Sequence, residues 1–70
     1  MSTEERGNEM GMKLKLIRLA KGISQGYVAK MLGITQTTLS RKENGKSKFT
    51  ADELIELCVL YNIDVRELAE

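Results

Sequence analysis

Histidine and proline are absent from this chain, and cysteine occurs once. The single Cys58 has no partner for an internal disulfide, and without histidine no metal site is expected. Cys58 is read as a small core hydrophobe rather than a redox sensor. Catalysis has little to work with. There is no histidine base, no Ser or Cys set against a base, and no glycine-rich phosphate loop. An enzyme is not expected, and neither is a cofactor or a small-molecule ligand. No signal-peptide pattern or long apolar run occurs, so a cytoplasmic location without membrane contact is expected. The lack of proline, with many Leu, Ile, Lys and Glu, favours helix over sheet. Seventy residues suit one small all-α domain with a modest core.

Acidic side chains are scarce where basic ones gather. Residues 12–50 hold nine basic side chains and one acid, Glu43. Residues 51–70 hold six acids and one base, Arg66. The near-neutral total of +1 therefore conceals a directed field, with one face suited to a polyanion.

Residues 1–11 are polar and broken by Gly7 and Gly11, which predicts a flexible N-terminal tail ahead of a domain over 12–70. Met10 and Met12 are alternative start positions. A first helix follows from Met12 to Lys21, with Leu14, Ile17 and Arg18 on one face and Gly22 as its stop. Leu16 and Leu19 lie off that stripe, either partly exposed or marking a wider apolar face. The stretch from Ser24 to Gly45 reads as two short helices, Gln25 to Leu32 capped by Ser24 and Gln36 to Asn44 capped by Thr35. Gly33 and Ile34 supply the turn and an apolar plug. This is the layout of a helix-turn-helix, whose second helix can enter a DNA major groove. That helix has one clear core anchor, Leu39, and offers Gln36, Thr37, Ser40 and Arg41 on its other side. Gly26, in the first turn of the preceding helix, costs about 1 kcal/mol relative to Ala. It either allows close contact with a phosphate or is tolerated drift.

A basic loop from Lys46 to Phe49 leads to a capping box, Thr50 with Glu53, and a helix to about Tyr61. Its buried stripe is Leu54, Leu57, Cys58 and Tyr61. A second capping box, Asp64 with Glu67, starts a short last helix, and Ile63, Val65 and Leu68 close the core.

The run RLAKGISQGYVAKMLGITQTTLSRKENG, beginning at Arg18, resembles the lambda-repressor/Cro-like helix-turn-helix domain, the Xre family. The matching positions are Arg18, Gly22 to Gln25, Val28-Ala29, Leu32 to Ile34, Thr38, Ser40-Arg41 and Glu43 to Gly45. The likeness continues through Leu54, Leu57, Cys58, Ile63, Val65 and Leu68. It implies a compact five-helix domain, with helices 2 and 3 as the helix-turn-helix. It also implies binding to double-stranded DNA, usually as a homodimer on a palindromic operator. Gln36, Thr37, Arg41 and Ser40 would face base edges. Gln25, Asn44, Lys46 and Lys48, with the caps Ser24 and Thr35, would lie along the DNA backbone. Arg18 and Glu43 match a family ion pair between the first and third helices. Gly26 and Tyr27 depart from the commoner acidic residues there. Lys42 stands where an apolar residue is usual, its stem expected over the core and its ammonium toward water or phosphate.

Chemistry suits these assignments. Gln can pair with adenine through two hydrogen bonds, and Arg with guanine. Ile55, Val59 and Leu60 lie off the buried stripe of their helix and are read as a dimer interface, since a two-fold operator needs a two-fold protein. Phage repressors, chromosomal regulators, antitoxin-like regulators and restriction–modification controllers are similar at this length. Binding itself would then regulate, by occluding RNA polymerase or contacting it. The competing reading is a protein-interaction module on the same scaffold, against which the basic third helix argues.

Overall fold

In the computed structural model the backbone is described over residues 3–69 and the side chains over residues 9–68. Five helices follow one another: α1 Thr3–Ala20, α2 Gln25–Leu32, α3 Gln36–Glu43, α4 Ala51–Tyr61 and α5 Arg66–Ala69. No strand occurs among the described residues.

Each boundary has a local cause. α1 stops where Gly22 takes a positive φ of 69° and the Ile23 amide donates back to the Arg18 carbonyl at 3.1 Å. Ser24 opens α2 by accepting from the Tyr27 amide, also at 3.1 Å. Gly33 closes α2 in the left-handed region, and the Ile34 amide returns to the Ala29 carbonyl. Thr35 caps α3 through its bond from the Thr38 amide. Gly45, not Asn44, takes the positive φ that ends α3. Thr50 and Glu53 form both arms of a capping box on α4. The box expected at Asp64 forms by half. Glu67 Oε2 accepts from the Asp64 amide, while Asp64 Oδ1 takes the Arg66 amide instead.

Leu14, Val28, Ala29, Leu39, Leu57, Cys58, Tyr61 and Leu68 form the core, with Met10, Ile17 and Phe49 among the half-buried side chains around it. Burial, helped by the nearby Glu43 charge, pushes the Tyr61 phenol up to about 12, so it stays neutral at physiological pH. Burial likewise pushes the Cys58 thiol up, which disfavours the reactive thiolate. Leu16 and Leu19 are exposed, so the apolar face of α1 is no wider than Leu14, Ile17 and Arg18 suggest. Val65, expected in the core with Ile63 and Leu68, is 57 % exposed, while Leu68 is buried as expected.

The expected tail is the largest difference. The helix expected from Met12 begins at Thr3, so residues 3–11 belong to α1; residues 1 and 2 lie outside the described residues. Met10 packs on the core, and Gly11 is buried. Gly11 reads as a breaker in sequence, but its missing side chain serves a crossing. A Cβ there would come within 3.0 Å of the Lys42 and Glu43 carbonyl oxygens at the end of α3. Both obstacles are backbone and cannot swing aside.

Gly11→Ala is therefore expected to destabilise the domain although alanine is the better helix former. Forcing α1 off α3 costs about 1–3 kcal/mol net. Thermal melting followed by circular dichroism should show Tm lower by on the order of 10 °C. An unchanged or raised Tm would mean the crossing is not tight.

Candidate nucleic-acid interface

α3 is short of apolar anchors, so its placement rests on charge. Arg18 on α1 donates from Nε to Glu43 Oε2 at 2.8 Å and from Nη2 to Oε1 at 3.2 Å. Its Nη1 donates to the Ile23 carbonyl at 2.9 Å, so the fork is filled. The side chains are 7 % and 2 % exposed. The hydrogen bond to Glu43 holds the Arg18 pKa above its ordinary value, against the effect of burial.

Lys42 corrects an expectation. Its side chain is 10 % exposed, and its ammonium turns to partners within the protein rather than outward. It donates to Glu53 Oε1 at 2.7 Å and to the Lys48 carbonyl at 3.0 Å, 5.8 Å from the centre of the Phe49 ring. A lone buried cation would be costly, and the α4 capping box offers a carboxylate within reach. Burial pushes the Glu53 pKa up, but the hydrogen bonds from Lys42 and Thr50 together outweigh it and hold the carboxyl below its usual range. Consecutive residues of α3 thus tie it to two helices, Lys42 to α4 and Glu43 to α1.

These ties remove the charge of Glu43 from the surface and turn the rest of α3 outward. Gln25, Gln36, Thr37, Ser40, Arg41, Asn44 and Lys46 line one shallow concavity. The structure thereby brings together all four residues assigned to base edges and three of those assigned to the DNA backbone. No carboxylate lines it. Ser24 and Thr35 stand apart, their hydroxyls engaged as helix caps. Lys48 is exposed but outside the concavity.

Gln25 does more than its position suggests. Its Nε2 donates to Glu43 Oε1 at 2.9 Å, and its Oε1 accepts from Gln36 Nε2 at 3.3 Å. An unbroken chain of bonds runs from Arg18 through Glu43 and Gln25 to Gln36. Sequence reasoning missed it, because neither partner of Gln25 lies near it in the chain. Gly26 adjoins the last link. A Cβ there would stand 3.5 Å from Gln36 Oε1, an ordinary contact, so glycine leaves that oxygen uncovered without being sterically required.

The apolar residues assigned to a dimer interface also share one place. Ile55, Val59 and Leu60 of α4 form a second, apolar groove with Met31 and Leu32 of α2, and Glu56 at its edge. Val59 is 77 % exposed and Ile55 60 %. Leu60 differs from the expected exposed residue, since it is half-buried and packs partly on the core.

Comparison with known proteins agrees with this geometry. The helix-turn-helix family matches residues 14–68. The ImmF control region 10 kDa protein of Bacillus phage phi105 is 34% identical over 62 residues, 89% of this chain and 69% of that protein. The crystal structure of the restriction-modification controller protein C.AhdI from Aeromonas hydrophila superposes with a TM-score of 0.85 at 25% identity, over 97% of this chain and 99% of that one.

Glu43→Ala would leave Arg18 buried without its partner, at a cost of about 3–5 kcal/mol. Urea unfolding should show that loss. Combined with Arg18→Met it should cost clearly less than the sum of the single changes, since the second removes the stranded charge. Strict additivity would mean that the two residues do not act as a pair.

Proposed function

This chain belongs to the helix-turn-helix family in its lambda-repressor/Cro-like form, and on that premise we propose how it engages DNA. It is a DNA-binding transcriptional regulator rather than an enzyme. It binds a palindromic site as a homodimer in the cytoplasm, with α3 of each copy in the major groove. Gln36, Thr37, Ser40 and Arg41 read base edges. Gln25, Asn44, Lys46 and Lys48 contact phosphates, with the caps Ser24 and Thr35 lying along the DNA backbone.

One observation carries this reading. The only acid of residues 12–50 is turned inward onto Arg18, and the concavity left on α3 holds amides, hydroxyls and cations alone. Amides and guanidinium match the donor and acceptor pattern of base edges, and the lysines match phosphate. The apolar groove between α2 and α4 supports the dimer, because its exposed Ile55 and Val59 offer a second copy an apolar face to cover, and a two-fold protein suits half-sites about 34 Å apart, one turn of duplex. Likeness to a phage control-region protein and to a restriction–modification controller supports a controlling role here also.

Selection from a random duplex pool should yield a two-fold symmetric site. Gln36→Ala with Arg41→Ala should weaken binding to it by about 1–3 kcal/mol per lost contact, and non-specific binding only by the smaller amount that loss of one positive charge entails. Lys46→Ala should weaken all duplexes alike and lower the log–log salt slope by about 0.9. If the double variant keeps its site preference, α3 is not the reading element.

Sedimentation equilibrium should show a dimer at micromolar concentration, and Val59→Glu should convert it to a monomer that still melts cooperatively, at a temperature lowered only by the lost association. A wild-type monomer at high micromolar concentration would refute the dimer.

A further inference from the structure

We infer that Glu43 is a positioning residue for base reading: through Gln25 it fixes which way the amide of Gln36 faces. The inference rests on the DNA-binding reading above and adds a specificity determinant that never touches DNA. The argument is one of donors and acceptors. Paired with Arg18, Glu43 is ionised and can only accept. Gln25 must therefore turn its NH2 group toward Glu43, 2.9 Å away. Its oxygen then faces the other way and can only accept, so Gln36 must present Nε2 to it, at 3.3 Å. Polarity passes from a buried charge to an exposed amide in two hydrogen bonds.

The outcome at Gln36 is defined. One N–H is engaged, while the other and the carbonyl oxygen remain available, the oxygen beside Gly26 where no side chain covers it. A donor and an acceptor in fixed order complement the N7 acceptor and N6 donor of adenine. An amide free to flip could present its NH2 group and oxygen in either order. It could also turn its NH2 to the N7 and O6 acceptors of guanine. Holding Gln36 also removes rotamer freedom before DNA arrives.

The test compares base preference, not affinity. Gln25→Met keeps the stem, breaks the relay and leaves the Arg18–Glu43 pair intact. The base pair read by Gln36 is first located as the one whose preference disappears in Gln36→Ala. At that pair the wild type should favour adenine over guanine by roughly tenfold to a hundredfold. Gln25→Met should reduce that ratio to about threefold or less, with preferences at the other pairs retained. Its lost phosphate contact would weaken all duplexes alike and so cancels in the ratio. Glu43→Gln, whose amide can donate or accept, should relax the same pair at a temperature where its melt shows it folded, and an adenine preference retained there would overturn the role of Glu43. Unchanged adenine preference in Gln25→Met would overturn the relay while leaving DNA binding intact. A wild type with no preferred duplex would overturn both.

Discussion

Arg18 and Glu43 make the rest of the molecule possible, because α3 cannot hold itself to the core by apolar contact. Leu39 is its one fully buried hydrophobe. A helix with so little to bury would drift over the surface or fray. The ion pair replaces a greasy face with a directional one: two bonds between guanidinium and carboxylate set both the distance and the rotation of α3 against α1. Lys42 does the same against α4 from the next position. Buried pairs of this kind are modest contributors to net stability, since their desolvation offsets most of the attraction. What they give here is a single orientation, in which every side chain not used for support faces outward.

The glycine at the crossing belongs to the same design. With carbonyl groups of α3 pressed against Gly11, α1 approaches backbone to backbone at one end. Further along α1, Arg18 grips the Glu43 side chain. Two constraints of different chemistry, one of shape and one of charge, act on the same terminal turn of α3. A rigid reading element follows, and rigidity in a binding surface reduces the ordering that association must impose.

Much of this is written locally in the chain. The caps at Ser24, Thr35 and Thr50 and the stops at Gly22, Gly33 and Asn62 depend on residues within a turn of each other, so they are visible without a fold. The candidate face was legible for a similar reason: a polar helix with one anchor must expose the rest. What escaped was non-local. Gly11 looks like a breaker because its partner carbonyls lie some thirty residues on. Lys42 looks solvated because Glu53 sits in another helix. Gln25 looks like a surface residue because its two partners, Glu43 and Gln36, meet it only after α2 and α3 have packed. Val65 was placed in the core with Ile63 and Leu68, and only the turn into α5 leaves it outside while the other two pack inward.

The depth at which the two ion pairs lie separates two responses to ionic strength. Mobile ions screen charges that face water and scarcely reach those sealed from it. Arg41, Lys46 and Lys48 stand in solvent; Glu43 and its partner do not. Salt that dissolves the attraction between this protein and a polyanion therefore leaves the scaffold beneath untouched. The molecule can be released from its partner by a change in its surroundings and remain ready to bind again, without refolding.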